Sequence, residues 1–219
     1  MAPPCSLPTI VLRHWHFSVE HASTTVVLPD GCRDLIVARA TDGAPRWFIS
    51  PLADSALQVA GAAGERFAGL RFHPAVRLDE AALLAAASRL DADDPLALGN
   101  RIEEHARLDT RVAEALQALA SGPRVTAACR ALGVSERSLE RLLQAATARS
   151  PRYWQGLARA RRAAAALAGR QALAEIAADH GYADQAHMNR AFRRWFATTP
   201  ARLRADPVLL AMALEPGYA

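Results

Sequence analysis

The feature that most constrains the fold is an internal repeat in the C-terminal half of the chain. Residues 125–151, VTAACRALGVSERSLERLLQAATARSP, and residues 173–200, LAEIAADHGYADQAHMNRAFRRWFATTP, share one order of features. Each has a short apolar segment, a glycine four residues after a small side chain, an amphipathic segment, and an exit through serine or threonine followed by proline. A glycine supplies a positive φ between two helices, and a small residue lets the helices cross closely. The repeat therefore predicts two units, each of two helices joined by a tight turn.

The segment between the two copies, PRYWQGLARARRAAAALAG, predicts one connecting helix. A helix of about 18 residues would be roughly 27 Å long at 1.5 Å per residue. Ser150 and Pro151 mark its start, because a hydroxyl suits the N-cap position and proline suits the first helical position. Thr199 and Pro200 predict a further helix after the second copy for the same reason.

The N-terminal half has a different pattern, which sets the fold class. Up to about His73, short β-branched or aromatic runs predict strands at 9–19, 23–29, 33–40, 46–50 and 65–72. From Leu78 the apolar period becomes helical and predicts helices over 78–90, 94–108 and 109–121. The predicted fold class is α+β. A small β-rich domain, 1–105, with helices at its C-terminal end, would precede an all-α domain, 106–206, of two helix-turn-helix units joined by a long helix, and a C-terminal tail, 207–219.

Charge is divided unevenly along the chain. The formal net charge of the whole chain is only +4 at pH 7, yet residues 123–205 carry 15 arginines against five acidic residues, a net charge of +10. The rest of the chain therefore has a net charge of −6. A basic module is the usual electrostatic footprint of a protein that binds a polyanion such as a nucleic acid.

Helical geometry divides the second helix of each unit into an apolar and a polar face. The apolar faces would consist of Leu139, Leu142 and Leu143 in the first unit and Met188, Phe192 and Trp195 in the second. The outward faces would carry Arg137, Glu140, Arg141 and Gln144, and Ala186, Asn189, Arg190 and Arg193. In a helix-turn-helix this second helix enters the major groove, where arginine pairs with guanine, asparagine or glutamine with adenine, and glutamate with cytosine. The alternative is two ordinary solvated faces, on which Glu136 and Glu140 pair with neighbouring arginines.

The C-terminal 100 residues resemble the AraC/XylS family of bacterial transcription regulators, whose DNA-binding domain holds two helix-turn-helix units joined by a long helix. The resemblance rests on Ile176-Ala177, Gly181-Tyr182, Arg190-Ala191-Phe192, Thr199-Pro200 and Leu203-Arg204, with Arg159 and Ala163 on the connecting helix. Departures from the family pattern are Ala148 and Ala197 at the exit glycines, Met188 and Leu203 at aromatic positions, and Glu140 at a position that is usually neutral and polar.

The resemblance implies DNA-contacting roles for individual residues. Base edges would be contacted by Arg137, Glu140 and Arg141 of the first unit and by Gln185, Asn189 and Arg190 of the second. Backbone phosphates would be contacted by Ser135, Gln144, Arg193 and Arg194. Glu140 leaves the base preference of the first unit open. The implied partners are double-stranded DNA and RNA polymerase, with a small-molecule effector left open and no membrane partner.

The N-terminal half is less specific. The stretches VVLPDGCRDLIV and FAGLRFHPAV resemble a short β-rich domain that precedes such DNA-binding modules in some regulators of uncharacterised ligand. His14, His16 and His21 with Cys32 could form a metal or redox sensor, since alternate residues of a strand share a face. No motif fixes a metal, however, and polar histidines on a half-exposed strand are the commoner arrangement. Cys32 could likewise be a reactive thiol on a turn or a buried, inert one.

The competing function class is an enzyme, an alkyl-transfer DNA repair protein that uses an N-terminal cysteine. Such proteins hold zinc with four cysteines, whereas this chain has three cysteines in all, Cys5, Cys32 and Cys129. No other catalytic motif is found. We therefore predict a sequence-specific transcription regulator that is not an enzyme and has no cofactor and no metal. The odd number and wide spacing of the cysteines, and the lack of a signal peptide or a long apolar run, predict a cytoplasmic protein.

Overall fold

The computed structural model describes residues 8–41, 43–90 and 95–219, which fall into two compact units. The first unit contains the described residues up to Thr25, together with Cys32–Pro51 and Ala60–Asp109. The second unit contains Val26–Gly31, Leu52–Val59 and Thr110–Ala219. Two short segments from the N-terminal half of the chain are therefore part of the mainly helical second unit.

Most of the strands lie in the first unit. The strands of the described residues are β1 Val11–Ser18, β2 Ser23–Val27, β3 Asp34–Arg39, β4 Arg46–Ile49, β5 Leu57–Gly61, β6 Arg66–Phe72, β7 Val76–Leu78 and β8 Ala106–Leu108. An antiparallel sheet has the order β1-β6-β3-β4, while β2 pairs with β5 and β7 with β8. Strand β3 is buried along almost its whole length, because it is apolar and has a neighbour on each side.

A buried polar cluster links three adjacent strands of this sheet. The indole nitrogen of Trp15 on β1 donates a hydrogen bond to Asp34 Oδ2 on β3, at 2.8 Å. Arg71 Nε on β6 donates to Asp34 Oδ1 at 3.2 Å, so the buried carboxylate faces an opposite charge. Gly69 leaves room for the indole, because a Cβ at that position would lie 2.3 Å from the Trp15 ring. The cluster therefore favours a single register of the three strands.

Two helices complete the core of the first unit. They are α1 Glu80–Ala87 and α2 Pro95–His105. Leu35 and Phe72 from the sheet share a hydrophobic core with Leu83 and Ile102 from the helices, and all four side chains are fully buried. Burying apolar side chains from both kinds of element is what holds sheet and helices together.

The second of these helices ends three residues earlier than predicted, at His105. Residues 106–108 do not continue the helix predicted over 94–108 but form β8, with Leu108 opposite Val76 and Ala106 opposite Leu78 on β7. A strand of three residues is too short to show an alternating apolar pattern. Strands β5 and β7 were missed too, and β5 is exposed over most of its length. Asp94, the first residue of the predicted helix, lies outside the described residues, as does Cys5.

The second unit contains the repeat. Its helices are α3 Thr110–Ser121, α4 Val125–Leu132, α5 Glu136–Thr147, α6 Pro151–Ala166, α7 Leu173–Asp179, α8 Gln185–Phe196, α9 Pro200–Ala205 and α10 Pro207–Ala213. Helices α4 and α5 form the first two-helix unit, α7 and α8 form the second, and α6 joins them. The predicted α+β class is therefore confirmed, with a β-rich N-terminal region followed by helices.

The connecting helix α6 is buried on almost every side. Side chains with 0% exposure are Trp154, Leu157, Ala158, Ala160, Ala163 and Ala164. Its alanines allow neighbouring helices to approach closely, and its 16 residues span about 24 Å. Ser150 caps it by accepting a hydrogen bond from Tyr153 N, and Thr199 caps α9 by accepting one from Arg202 N, as predicted.

Left-handed backbone ends the helices of both copies. Gly133 follows α4 at φ 65°, and Gly181 follows the C-cap of α7 at φ 70°. Ala148 after α5 and Ala197 after α8 take the same conformation, at φ 54° and φ 53°. An alanine Cβ crowds the following carbonyl in this region, so the two alanines carry strain that a glycine would avoid.

We expect Ala148→Gly and Ala197→Gly each to raise the free energy of unfolding by about 0.5–1 kcal/mol, because the strain relieved exceeds the extra entropy that glycine loses on folding. The matched reverse changes, Gly133→Ala and Gly181→Ala, should lower it by about 1 kcal/mol. An added Cβ at either glycine meets no atom within 4 Å, so only the backbone is tested. Urea denaturation measures all four variants. Destabilisation by both new glycines would contradict this account.

Candidate nucleic-acid interface

The first two-helix unit is held by a small set of buried side chains. Leu139 and Leu143 of α5 are fully buried, and Cys129 of α4 is buried as well. The turn is closed by Val134 N, which donates a hydrogen bond to the carbonyl of Cys129. Ser135 then begins α5 as its N-cap, because its hydroxyl accepts from Ser138 N at 3.1 Å. Burial of one face fixes which side chains of α5 remain outside.

The outward face of α5 carries the predicted residues. Arg137, Glu140, Arg141 and Gln144 are all exposed, and they share one face because each lies three and four residues from two of the others. Within the described part of the chain, neither Glu136 nor Glu140 lies within ion-pair distance of an arginine. The ion pairs that the solvated-face alternative assumed for Glu136 and Glu140 are therefore not seen among the described residues. Ser135 is also exposed, although its hydroxyl already serves the cap.

The second two-helix unit is built in the same way. Tyr182 N donates to the carbonyl of Ala177 across the turn at 2.9 Å. Asp184 caps α8 by accepting a hydrogen bond from His187 N at 2.6 Å. The buried face of α8 consists of Met188, Phe192, Trp195 and Phe196. The predicted apolar face is confirmed, with Phe196 as an addition.

The outward face of α8 is again polar. Gln185, Arg190, Arg193 and Arg194 are exposed, and Asn189 is half-buried. The Arg194 guanidinium lies over the Trp195 ring, 5.0 Å from its centroid. This contact restrains Arg194. Gln185, Arg190 and Arg193 make no hydrogen bond or ion pair within the described residues, so their polar groups are available to a ligand.

The segment 52–59, which belongs to the second unit, contacts the junction between α5 and α6 and also contacts α8. Arg149, which follows α5, donates to the carbonyl of Leu52 and pairs with Asp54 at 2.8 Å. The hydroxyl of Tyr153 on α6 donates a hydrogen bond to the carbonyl of Ala53 at 2.7 Å. At the other end of the segment, Ala56 N donates to the carbonyl of Trp195 on α8 at 2.9 Å. Sequence reasoning missed this segment, because nothing in its composition marks it as part of the helical unit.

The last residues of the chain are also part of the second unit. The Tyr218 ring packs edge-on against Trp154 at 4.9 Å, and its hydroxyl donates to the carbonyl of Leu116. The buried Arg161 of α6 donates to the carbonyl of Tyr218 at 2.8 Å. Tyr218 N donates in turn to the carbonyl of Asp30. Residues 207–219 thus form helix α10 and a packed end of the chain.

The histidines and Cys32 of the first unit do not form a metal cluster. His14 and His16 are exposed on one face of β1, with ring centroids 4.3 Å apart. Partial burial, together with nearby His16, lowers the pKa of His14. No group of three metal-ligating side chains occurs among the residues that the structure describes. Cys32 and Cys129 are both buried, and burial raises the pKa of Cys129, which disfavours a reactive thiolate at that residue.

The geometry defines a class of DNA-binding domain. Residues 128–206 match a family model described as a helix-turn-helix domain, and this range holds α5, α6, α7 and α8 complete. The C-terminal region is an AraC-type helix-turn-helix domain, the DNA-binding module of a class of transcription regulators. The resemblance inferred from the repeat is thereby confirmed.

The chain is similar to solved structures at low sequence identity. The crystal structure of ToxT from Vibrio cholerae O395 is similar with a TM-score of 0.51 and 9% identity, covering 93% of this chain and 98% of that chain. A P21 crystal form of ToxT from Vibrio cholerae gives a TM-score of 0.46 and 9% identity over the same shares of the two chains. The first likeness shows a common fold. No curated protein matches the chain.

One negative finding concerns membranes. Among the helices of the described residues, none combines the length and the apolar character that crossing a bilayer requires.

We expect Tyr153→Phe to lower the free energy of unfolding by about 1 kcal/mol, because the hydrogen bond to the Ala53 carbonyl is lost from a partly buried site. Tyr182→Phe is the matched control. Its hydroxyl is buried without a hydrogen-bond partner within the described residues, and burial raises the pKa of Tyr182 to about 12. That change should be neutral or stabilising. Thermal unfolding of both variants measures the difference, and equal effects would contradict the role of the 52–59 segment.

Proposed function

We propose that this protein is a sequence-specific regulator of transcription whose helices α5 and α8 enter adjacent major grooves of double-stranded DNA. The observation that carries the proposal is the pair of outward faces. Each belongs to a helix whose other face is buried, and their polar groups are largely unpaired within the described residues. The surrounding module has a net charge of +10, which favours approach to phosphates.

The roles of single residues are those that the resemblance implies, and the chemistry of the groove suits them. Arg137, Glu140 and Arg141 on α5, and Gln185, Asn189 and Arg190 on α8, would contact base edges. Gln144, Arg193 and Arg194, with Ser135 at the helix start, would contact phosphates and position the helices. The hydroxyl oxygen of Ser135 already accepts the capping hydrogen bond from Ser138 N. In a phosphate contact the Ser135 hydroxyl would donate its proton.

Two finer parts of the function are expectations. RNA polymerase is the expected protein partner, and the N-terminal domain, with its boundary predicted after residue 105, would be the place of effector control. A small-molecule effector is left open. The buried thiols of Cys32 and Cys129 do not favour the alkyl-transfer alternative. Stoichiometric, tightly bound zinc in the purified protein would support that alternative.

We expect one chain to protect an asymmetric DNA site with two contacted major grooves about 10 base pairs apart. The connecting helix α6 is about 24 Å long and joins the two two-helix units, and a length of this order is compatible with a separation near the roughly 34 Å between successive grooves. Hydroxyl-radical footprinting at saturation measures this. Protection of one groove only would contradict the proposal that both helices bind.

We expect Arg190→Ala and Arg194→Ala to impair binding differently. Arg190→Ala should cost about 1–3 kcal/mol on the preferred site and relax selectivity at one or two base pairs. Arg194→Ala should weaken binding to all sequences alike and reduce the salt slope by about one unit. Met188→Asp should instead unfold the unit, because it buries an unpaired charge beside Phe192.

The measurement is the affinity of each variant for matched and mismatched duplexes across a salt series, with the folded state checked by circular dichroism. An unchanged ratio of specific to non-specific affinity in Arg190→Ala would show that α8 does not contact bases through Arg190.

A further inference from the structure

The outward face of α5 contains a carboxylate that needs an explanation. Glu140 is exposed and lies between Arg137, three residues earlier, and Arg141, the next residue. No ion pair to Glu140 is found within the described part of the chain. A carboxylate that faces DNA repels the phosphates, so Glu140 weakens binding wherever it finds no hydrogen-bond donor.

The major groove offers such donors at two places only, the N4 amino group of cytosine and the N6 amino group of adenine. The adenine donor stands beside the acceptor N7, which suits an amide that both donates and accepts. An ionised carboxylate only accepts, and N7 would face it with a lone pair. The cytosine edge presents its amino group without a neighbouring acceptor of the same base. Cytosine is therefore the base that Glu140 fits best.

The neighbours of Glu140 favour the same kind of base pair. Arginine pairs with O6 and N7 of guanine by two parallel hydrogen bonds. Arg137 and Arg141 flank Glu140 and are exposed, so α5 presents two guanine-binding groups and one cytosine-binding group. The outward face of α8 differs. It presents the amides of Gln185 and Asn189, which pair with adenine, together with Arg190.

From these faces we propose that Glu140 is a specificity-determining residue for cytosine, and that the DNA site consists of two unlike parts. The part bound by α5 is rich in G·C pairs, and the part bound by α8 contains adenine. This inference rests on the proposed function. Because the two parts differ in composition, one chain binds the site in one direction only. Glu140 lowers affinity for unrelated DNA, so it increases discrimination beyond its own base contact.

The test is selection of bound duplexes from a random pool by the full chain, repeated with three variants. Glu140→Gln should exchange the cytosine preference for adenine at one position of the G·C-rich part, changing the cytosine-to-adenine affinity ratio roughly tenfold, the discrimination of one good contact. Glu114→Gln is the charge control, because Glu114 is exposed on α3 outside the repeat. It should leave every base preference unchanged. Gln185→Ala should relax an adenine preference in the other part only.

The outcomes separate the inference from the proposed function. Two results would overturn the inference but leave the proposed function intact. One is a selected site that has no cytosine in the part affected by Glu140→Gln. The other is that wild type and Glu140→Gln show identical base preferences. Enrichment of no sequence at all would contradict the proposed function and remove the premise of the inference with it. A shift of the same size in Glu114→Gln would assign the effect to net charge and overturn the role of Glu140.

Discussion

Burial of helix α6 is the interaction on which the rest of the second unit depends. Its tryptophan, leucine and alanine side chains are fully buried, so α3, α8 and the end of the chain can pack around it. Each of these neighbours buries its own apolar face in doing so. Burial of apolar surface is the main favourable term in folding, and here the same burial determines which faces of α5 and α8 remain in water. The polar surface that would meet DNA is therefore a consequence of core packing.

The second unit is completed by parts of the chain that are distant in sequence. The 52–59 segment contacts Arg149 and Tyr153 near the first two-helix unit and Trp195 in the second. The carbonyl of Asp30 and the packed Tyr218 close another side of α6. These contacts tie the separation of α5 and α8 to residues that carry no DNA-binding chemistry. A substitution in either segment would therefore act directly on the relative positions of α5 and α8.

Backbone strain is distributed alike in the two copies of the repeat, whereas charge is distributed differently. Ala148 and Ala197 hold left-handed backbone where glycine would relax it, at the same place in each copy. Packing on both sides of each turn supplies the energy that keeps them there. Charge is asymmetric instead, because Glu140 on α5 has no counterpart on the outward face of α8. The backbone of the repeat is thus symmetric, whereas its surface chemistry is not.

Much of this protein was determined by local sequence alone. The period of apolar residues, the glycines at 133 and 181, and the hydroxyl-proline helix starts predicted both two-helix units, the connecting helix and the outward faces, because helical periodicity and capping act over a few residues. Strand β8 and the positions of 26–31, 52–59 and Tyr218 could not be predicted in this way. Each depends on a partner far along the chain, and only the folded structure decides which distant backbone groups and side chains come within hydrogen-bonding or packing distance.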